Sequence, residues 1–346
     1  MPGRRGADFA VDKSLCRRCQ VKDPAITIRT EPLCVDCFGR YVSTKIVKRM
    51  ESFRARHAEA GQERKLLLPW SKGASSTVLM HVLSQHLKRQ AENSGRTGFK
   101  LHVVHVQSGD DEAEGQLREV MERYPDFVYS SRSLSDVLAI DGALCAFPDG
   151  PCESIETMFE SLPSATSRQD ARQVLLRKLV VQHAKGHDCE GILWGDNTTR
   201  LAEQTLAETA KGRGFNLPRL VADGESPHGI RFYHPVQDLL RKELVAYASL
   251  VEPTLKSLII DDPVKPAVST KNTTIDDLMK QYFESVEQEY PSIVANVVKT
   301  SGKLRATPLQ QIEQQCELCD APLEDHAPER SRLCYGCLRI LPVAAG

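Results

Sequence analysis

Two matched cysteine quartets constrain this chain more than any other feature: Cys16, Cys19, Cys34 and Cys37 near the start, and Cys316, Cys319, Cys334 and Cys337 near the end. Each reads CxxC, fourteen residues, CxxC. A CxxC pair on a tight knuckle directs two thiolates at one ion, and a second knuckle returned by a short hairpin completes a tetrahedral site. Zinc is the default metal for this spacing. An iron–sulfur cluster also takes four thiolates, but two separate ribbon-like knuckles fit zinc better. With all four positions filled by protein, neither site leaves room for water or substrate, so both modules are expected to stabilise or bind rather than catalyse.

The remaining composition places these modules around a larger core. A chain of 346 residues with 41% hydrophobic content has room for a core of roughly 200 residues plus small modules. No run approaches the roughly 20 apolar residues that span a bilayer, and MPGRRGADFA lacks the apolar stretch of a signal peptide. We therefore expect an intracellular, cytoplasmic protein without membrane contact, in which recurring cysteines are metal ligands rather than disulfides.

The net charge of -1 conceals an uneven distribution. Residues 1–65 carry 15 Lys+Arg against 8 Asp+Glu, whereas residues 66–251 carry 20 against 24 and residues 252–346 carry 10 against 14. A basic zinc module followed by a basic helix can contact phosphates, and Arg49, Arg54 and Arg56 are the candidates for RNA contact. A solvated charged helix is the simpler alternative. The C-terminal quartet is instead surrounded by Glu317, Asp320, Glu324, Asp325 and Glu329.

Between the modules, short apolar runs alternate with amphipathic stretches, which predicts βα units and a parallel sheet. Strands are expected at 66–70, 100–106, 126–130 and 189–194, and helices at 76–91, 169–187 and about 199–212. Residues 141–168 read as an irregular excursion with a short helix near 153–161. The organisation is thus a four-cysteine module and basic helix over 1–62, an α/β domain over 63–305 and a second four-cysteine module over 306–346.

WSKGASST (70–77) joins the first strand to the first helix. A small-residue turn there points backbone N–H groups at the helix N-terminus, where the dipole favours an anion. Ser75 or Ser76 as a plain N-cap is the simpler reading, and the segment is not a Walker A sequence.

Taken together, the strand–SxGxSS–helix unit, WGDNTTRLAEQTL (194–206), HPVQDLLRKELVAYA (234–248) and the bracketing ribbons resemble the PP-loop ATPases that thiolate tRNA. The resemblance spans most of the chain. It implies a PP-loop ATPase-like parallel sheet with helices on both faces, and tRNA as a partner. It further implies a heterodimer with a catalytic PP-loop paralogue, and sulfur delivered to the wobble uridine from a ubiquitin-related modifier.

Against the family's active loop, Ser-Gly-Gly-x-Asp-Ser, this chain reads Ser71, Lys72, Gly73, Ala74, Ser75 and Ser76. Lys replaces a Gly whose freedom at φ > 0 lets backbone approach phosphate, and Ser replaces the Asp. Both changes weigh against ATP binding, while Lys72 can still attract an anion, so nucleotide or phosphate binding stays open. Active relatives place a CxxC before the long helix, where SATSRQD (164–170) has none, and Asp196, Thr199 and Arg200 replace further family residues. Without thiolates at those places the chemistry lacks its nucleophile or cluster ligands. The expected function is a non-catalytic subunit with no catalytic residue of its own. The alternatives are an active sulfurtransferase using Cys145, Cys152 or Cys189, and a zinc-ribbon interaction protein unrelated to tRNA.

Overall fold

Along the central strands, apolar side chains alternate between two destinations. Leu66, Leu68, Trp70, Leu101 and Val103 enter one core, whereas Leu67, Val104 and Ile192 enter another. Strands buried on both faces need helices on both. The computed structural model, which describes residues 14–54, 63–107, 114–140, 142, 144, 147, 154–260, 272–323 and 331–341, supplies them.

A hairpin of β1 (Ile26–Ile28) and β2 (Glu31–Leu33) leads into α1 (Val35–Arg49). The α/β unit follows as β3 (Lys65–Pro69), α2 (Ala74–Ser94), β4 (Lys100–Gln107), α3 (Glu114–Arg123) and β5 (Val128–Ser133). Next come α4 (Ile155–Ser161), α5 (Ala165–Gly186), β6 (Gly191–Leu193), α6 (Thr198–Ala210) and α7 (Leu217–Leu220). The chain continues through β7 (Gly224–Glu225), β8 (Arg231–Tyr233), α8 (Arg241–Leu250), α9 (Ile275–Glu289), α10 (Pro291–Ser301) and α11 (Tyr335–Leu338).

The sheet order is β5-β4-β3-β6-β8-β7, parallel except at the β7–β8 edge. From β3 the chain builds β4 and β5 to one side, then returns through α5 to lay β6 on the other. That reversal opens a crevice beyond the carboxyl ends of β3 and β6, where open α/β sheets bind ligands. The expected strands and helices recur as β3, β4, β6, α2, α4, α5 and α6; the expected strand at 126–130 starts at Val128 and runs to Ser133.

The first cysteine module and the sheet share one hydrophobic core. Phe38, Val42 and Ile46 of α1 are buried with Val78 and Leu79 of α2 and with Leu244 and Tyr247 of α8. Phe38 meets Tyr247 edge-on at 6.3 Å, Tyr41 donates its hydroxyl to Glu243 at 3.1 Å, and Lys45 donates to the Asp238 carbonyl at 2.7 Å. Thus α1 belongs to the helical layer of the sheet. The sequence did not suggest the α9–α10 pair, which packs on α6 through Phe283 and Val294, although Thr274 and Asp277 form a capping box at its start.

His81 on α2 is buried, with Nδ1 at 2.9 Å from the Tyr124 hydroxyl and Nε2 at 3.0 Å from the Gln85 amide. Burial, assisted by Arg123, holds its imidazole down at about 4. Between pH 6.5 and about 4 the unfolded chain takes up a proton that the native site refuses, so this site loses stability as pH falls through that window. His81→Gln is expected to flatten the slope of stability against pH by up to about 1.4 kcal/mol per unit. Urea midpoints measured across the window check this; an unchanged slope contradicts it.

Candidate functional site

The two quartets are built alike. In each, the residue after the second cysteine turns the chain left-handed, Gln20 at φ 52° and Asp320 at φ 57°, and its amide donates to the first cysteine's carbonyl at 2.8 Å. The third cysteine then caps a helix, Cys34 for α1 and Cys334 for α11, with Cys37 and Cys337 in the first turn. Helix N-termini favour thiolate over thiol.

Within each quartet one Sγ from every cysteine lies within 4.8 Å of the others. The Cys19–Cys34 and Cys319–Cys334 sulfur pairs are each 3.8 Å apart. A tetrahedral ion with bonds of about 2.3 Å to sulfur has edges of roughly 3.8 Å, so both clusters fit a single metal ion.

Four thiols this close cannot all ionise unaided. Burial raises Cys16, but backbone N–H groups of Cys34, Cys19 and Arg18 outweigh it and lower the thiol to about 6. Burial and its three neighbours push Cys37 up to about 12. A bound divalent cation removes this conflict by favouring all four thiolates together.

The segment read as an altered phosphate loop lies at the switch point, between β3 and α2. Lys72 takes φ 61°, the left-handed conformation suited to the glycine it replaces, at a cost of roughly 1–2 kcal/mol for a residue with a Cβ. Lys72 is buried and its carbonyl accepts from Ile260 N at 2.9 Å. Gly73 is the N-cap of α2; Ser71 Oγ and Ser76 Oγ lie 3.2 Å apart. Ser75 Oγ accepts from the Asn197 amide at 2.7 Å, and a Cβ at Gly195 would meet the Ser76 backbone at 3.2 Å, so the segment after β6 lies tight against the first turn of α2.

Residues 164–170, without the expected cysteines, form the start of α5 and anchor the C-terminal module. Ser164 caps α5, Ser167 Oγ donates to the Arg339 carbonyl at 3.0 Å, and Asp170 enters a buried ion network. Lys211 Nζ lies 3.1 Å from Asp170, 2.7 Å from Glu208 and 3.3 Å from Asp276, while Arg213 pairs with Asp170 and with Glu208 at 2.5 Å. Arg213 also reaches Cys337 Sγ at 4.0 Å. Asp320 completes the docking, with Lys178 at 3.3 Å and His228 at 2.9 Å. Beside it, a small cleft of about 40 Å³ runs from Cys319 to Asp196 and His234 at the carboxyl ends of β6 and β8.

Among the described residues, Cys189 is the only cysteine outside the quartets. It precedes β6, at the end of the sheet away from the phosphate loop, and burial raises its thiol. Cys145 and Cys152 lie outside the described residues, as do Glu324, Asp325, Glu329 and Arg56. Arg49 is held by Asp223 at 2.5 Å and Asp238 at 3.4 Å, and Arg54 pairs with Glu51 at 2.5 Å on the surface.

The switch-point loop and the two-sided parallel sheet define the class: a PP-loop ATPase-like α/β fold bracketed by four-cysteine clusters. In fold it is similar to the U34-tRNA thiolase NcsA from Methanococcus maripaludis, solved with its 4Fe-4S cluster, at a TM-score of 0.62 and 17% identity over 88% of this chain and 90% of that one. Residues 274–332 match the family model described as cytoplasmic tRNA 2-thiolation protein 2. Proteins of that name from Phaeosphaeria nodorum and Coccidioides immitis are 44% and 37% identical to it, over 99% and 94% of this chain and 98% and 96% of theirs. The chain belongs to the cytoplasmic tRNA 2-thiolation protein 2 family. No helix among the described residues is long and apolar enough to cross a membrane.

Proposed function

We propose that this chain is a non-catalytic subunit of a cytoplasmic tRNA wobble-uridine 2-thiolation complex, acting with a catalytic PP-loop paralogue and tRNA. Sulfur reaches the complex through a ubiquitin-related modifier. The observation that carries this reading is what occupies the site. Lys72 holds a glycine's place in the loop, Ser75 is bonded to Asn197, and the start of α5 is committed to Asp170's ion network. Cys189 is a poor candidate nucleophile because its thiol is buried and held protonated.

Zinc occupies both quartets in this reading, and the 3.8 Å sulfur separations support a single ion over a cubane cluster, which holds its thiolates further apart. The quartets mark modules at 1–62 and 306–346 around the PP-loop-like domain at 63–305. Nucleotide binding at the altered loop is not part of the proposal. The test is reconstitution. The purified chain alone is expected to leave tRNA unthiolated, and the complex with its paralogue to thiolate it even with Cys145, Cys152 and Cys189 each changed to serine. Activity of the chain alone, or loss in one serine variant, would favour the sulfurtransferase alternative.

RNA contact is assigned to the exposed basic surface of the first module, including Arg54. Arg54→Glu is expected to weaken tRNA binding by the complex and reduce its dependence on salt, as loss of a phosphate contact does. Arg49→Glu is expected to lower stability as well, because it sets a carboxylate against Asp223 and Asp238. Filter binding at several salt concentrations, with thermal unfolding in parallel, separates the two; unaltered binding in Arg54→Glu and in the Arg56 counterpart moves the RNA surface elsewhere.

A further inference from the structure

We propose that His102, His183 and His187 form a site for one divalent transition-metal ion, at the end of the sheet opposite the phosphate loop. His183 in the last turn of α5 and His187 at its C-cap stand four residues apart, a spacing that places both on one side of the helix end. That side meets His102 on β4. Ring centroids are 5.1 Å apart for His102–His183, 4.6 Å for His102–His187 and 4.3 Å for His183–His187, and one nitrogen from each ring lies within 4.8 Å of the others.

Edge-to-face packing alone accounts for the ring contacts but leaves a polar atom stranded. His183 is 9% exposed, and its Nε2 is buried without a hydrogen-bond partner. A buried imidazole nitrogen aimed into a group of like donors acquires its partner when a cation binds. His102 is already oriented from behind, with Nε2 at 2.7 Å from Ser130 Oγ, the kind of outer hydrogen bond that fixes a ligating ring.

The donor set selects the ion. Three imidazoles without a carboxylate suit zinc, cobalt, nickel or copper, whereas calcium and magnesium demand oxygen ligands. Bonds of about 2.1 Å require nitrogens roughly 3.4 Å apart, and His187, at the exposed end of α5, is free to close that difference and to admit water as a further ligand. Lys65 and Arg132 lie near enough to oppose a cation, which makes the site weaker than the quartets.

The test uses the full chain with its quartets loaded with zinc, titrated with cobalt. One further equivalent is expected, with visible absorption lacking a thiolate charge-transfer band. His187→Ala, at an exposed position that leaves the fold intact, should weaken that equivalent at least about tenfold while keeping the quartet zinc. No added equivalent, uptake accompanied only by thiolate bands, or unchanged affinity in His187→Ala would overturn the proposal. Because the readout excludes thiolate, it stands or falls separately from the assignment of the quartets.

Discussion

Cys34→Ser is expected to destabilise the sheet domain along with the first module. The cysteine is a proposed metal ligand and the N-cap of α1, and α1 supplies Phe38, Val42 and Ile46 to the core that also contains Trp70, Val78 and Tyr247. Structural zinc in small modules contributes an apparent 10–16 kcal/mol, roughly, at neutral pH. Whole domains retain only about 5–15 kcal/mol of net stability. Losing one ligand of four therefore removes a large share of the total, and the shared core transmits the loss to the sheet. We expect metal content to fall by one ion per chain and the main thermal transition to drop by ten degrees or more, on the order of several kcal/mol. Mass spectrometry of the intact protein and a thermal melt are sufficient. A main transition that stays in place while one metal ion is lost would show the module to be energetically separate.

The second large effect is expected at Asp170. Its carboxylate pairs with Lys211 and Arg213, and all three side chains are about 5% exposed or less. Glu208 joins them; burial raises its carboxyl, but Arg213 and Lys211 outweigh this and hold it at about 2. Removing one partner from a buried ion network leaves charge uncompensated and costs about 3–5 kcal/mol. Asp170→Ala should show a loss of that size, and Asp170→Asn a smaller one because the amide still accepts a hydrogen bond.

The damage should also reach the second quartet. A Cβ at Gly336 would lie 2.6 Å from Arg213, and Arg213 touches Cys337, so a displaced guanidinium disturbs the module directly. Limited proteolysis is expected to release the C-terminal module from Asp170→Ala sooner than from the wild type. A variant as stable as the parent would show that the network adds no net stability.

Much of this was legible in sequence because local patterns carried it. The apolar run at Leu66, Leu67 and Leu68 marked a strand, and helices on both faces of the sheet followed from the resemblance; the two cores that these leucines enter bear this out. The cysteine spacing likewise needed only a hairpin of fixed length to bring Cys34 back to Cys19, 3.8 Å away. The β7–β8 edge was not legible, since β8 spans three residues and is held by pairing with β6 rather than by a pattern of its own. Charge alone makes Arg49 a candidate phosphate contact, and a charge count does not record its ion pairs with Asp223 and Asp238, which lie far away in the chain.

The sequence by itself determined the donor types and their spacing, because coordination chemistry depends on residue identity and short separations. Only the tertiary structure decided that Lys72 takes a left-handed backbone, that α1 is part of the sheet's own core, and that Asp170 meets Lys211 and Arg213. The same holds for His102, which reaches His183 and His187 only when β4 and α5 pack together. Contacts between residues distant in the chain are selected by burial of the whole core, and no local pattern records them.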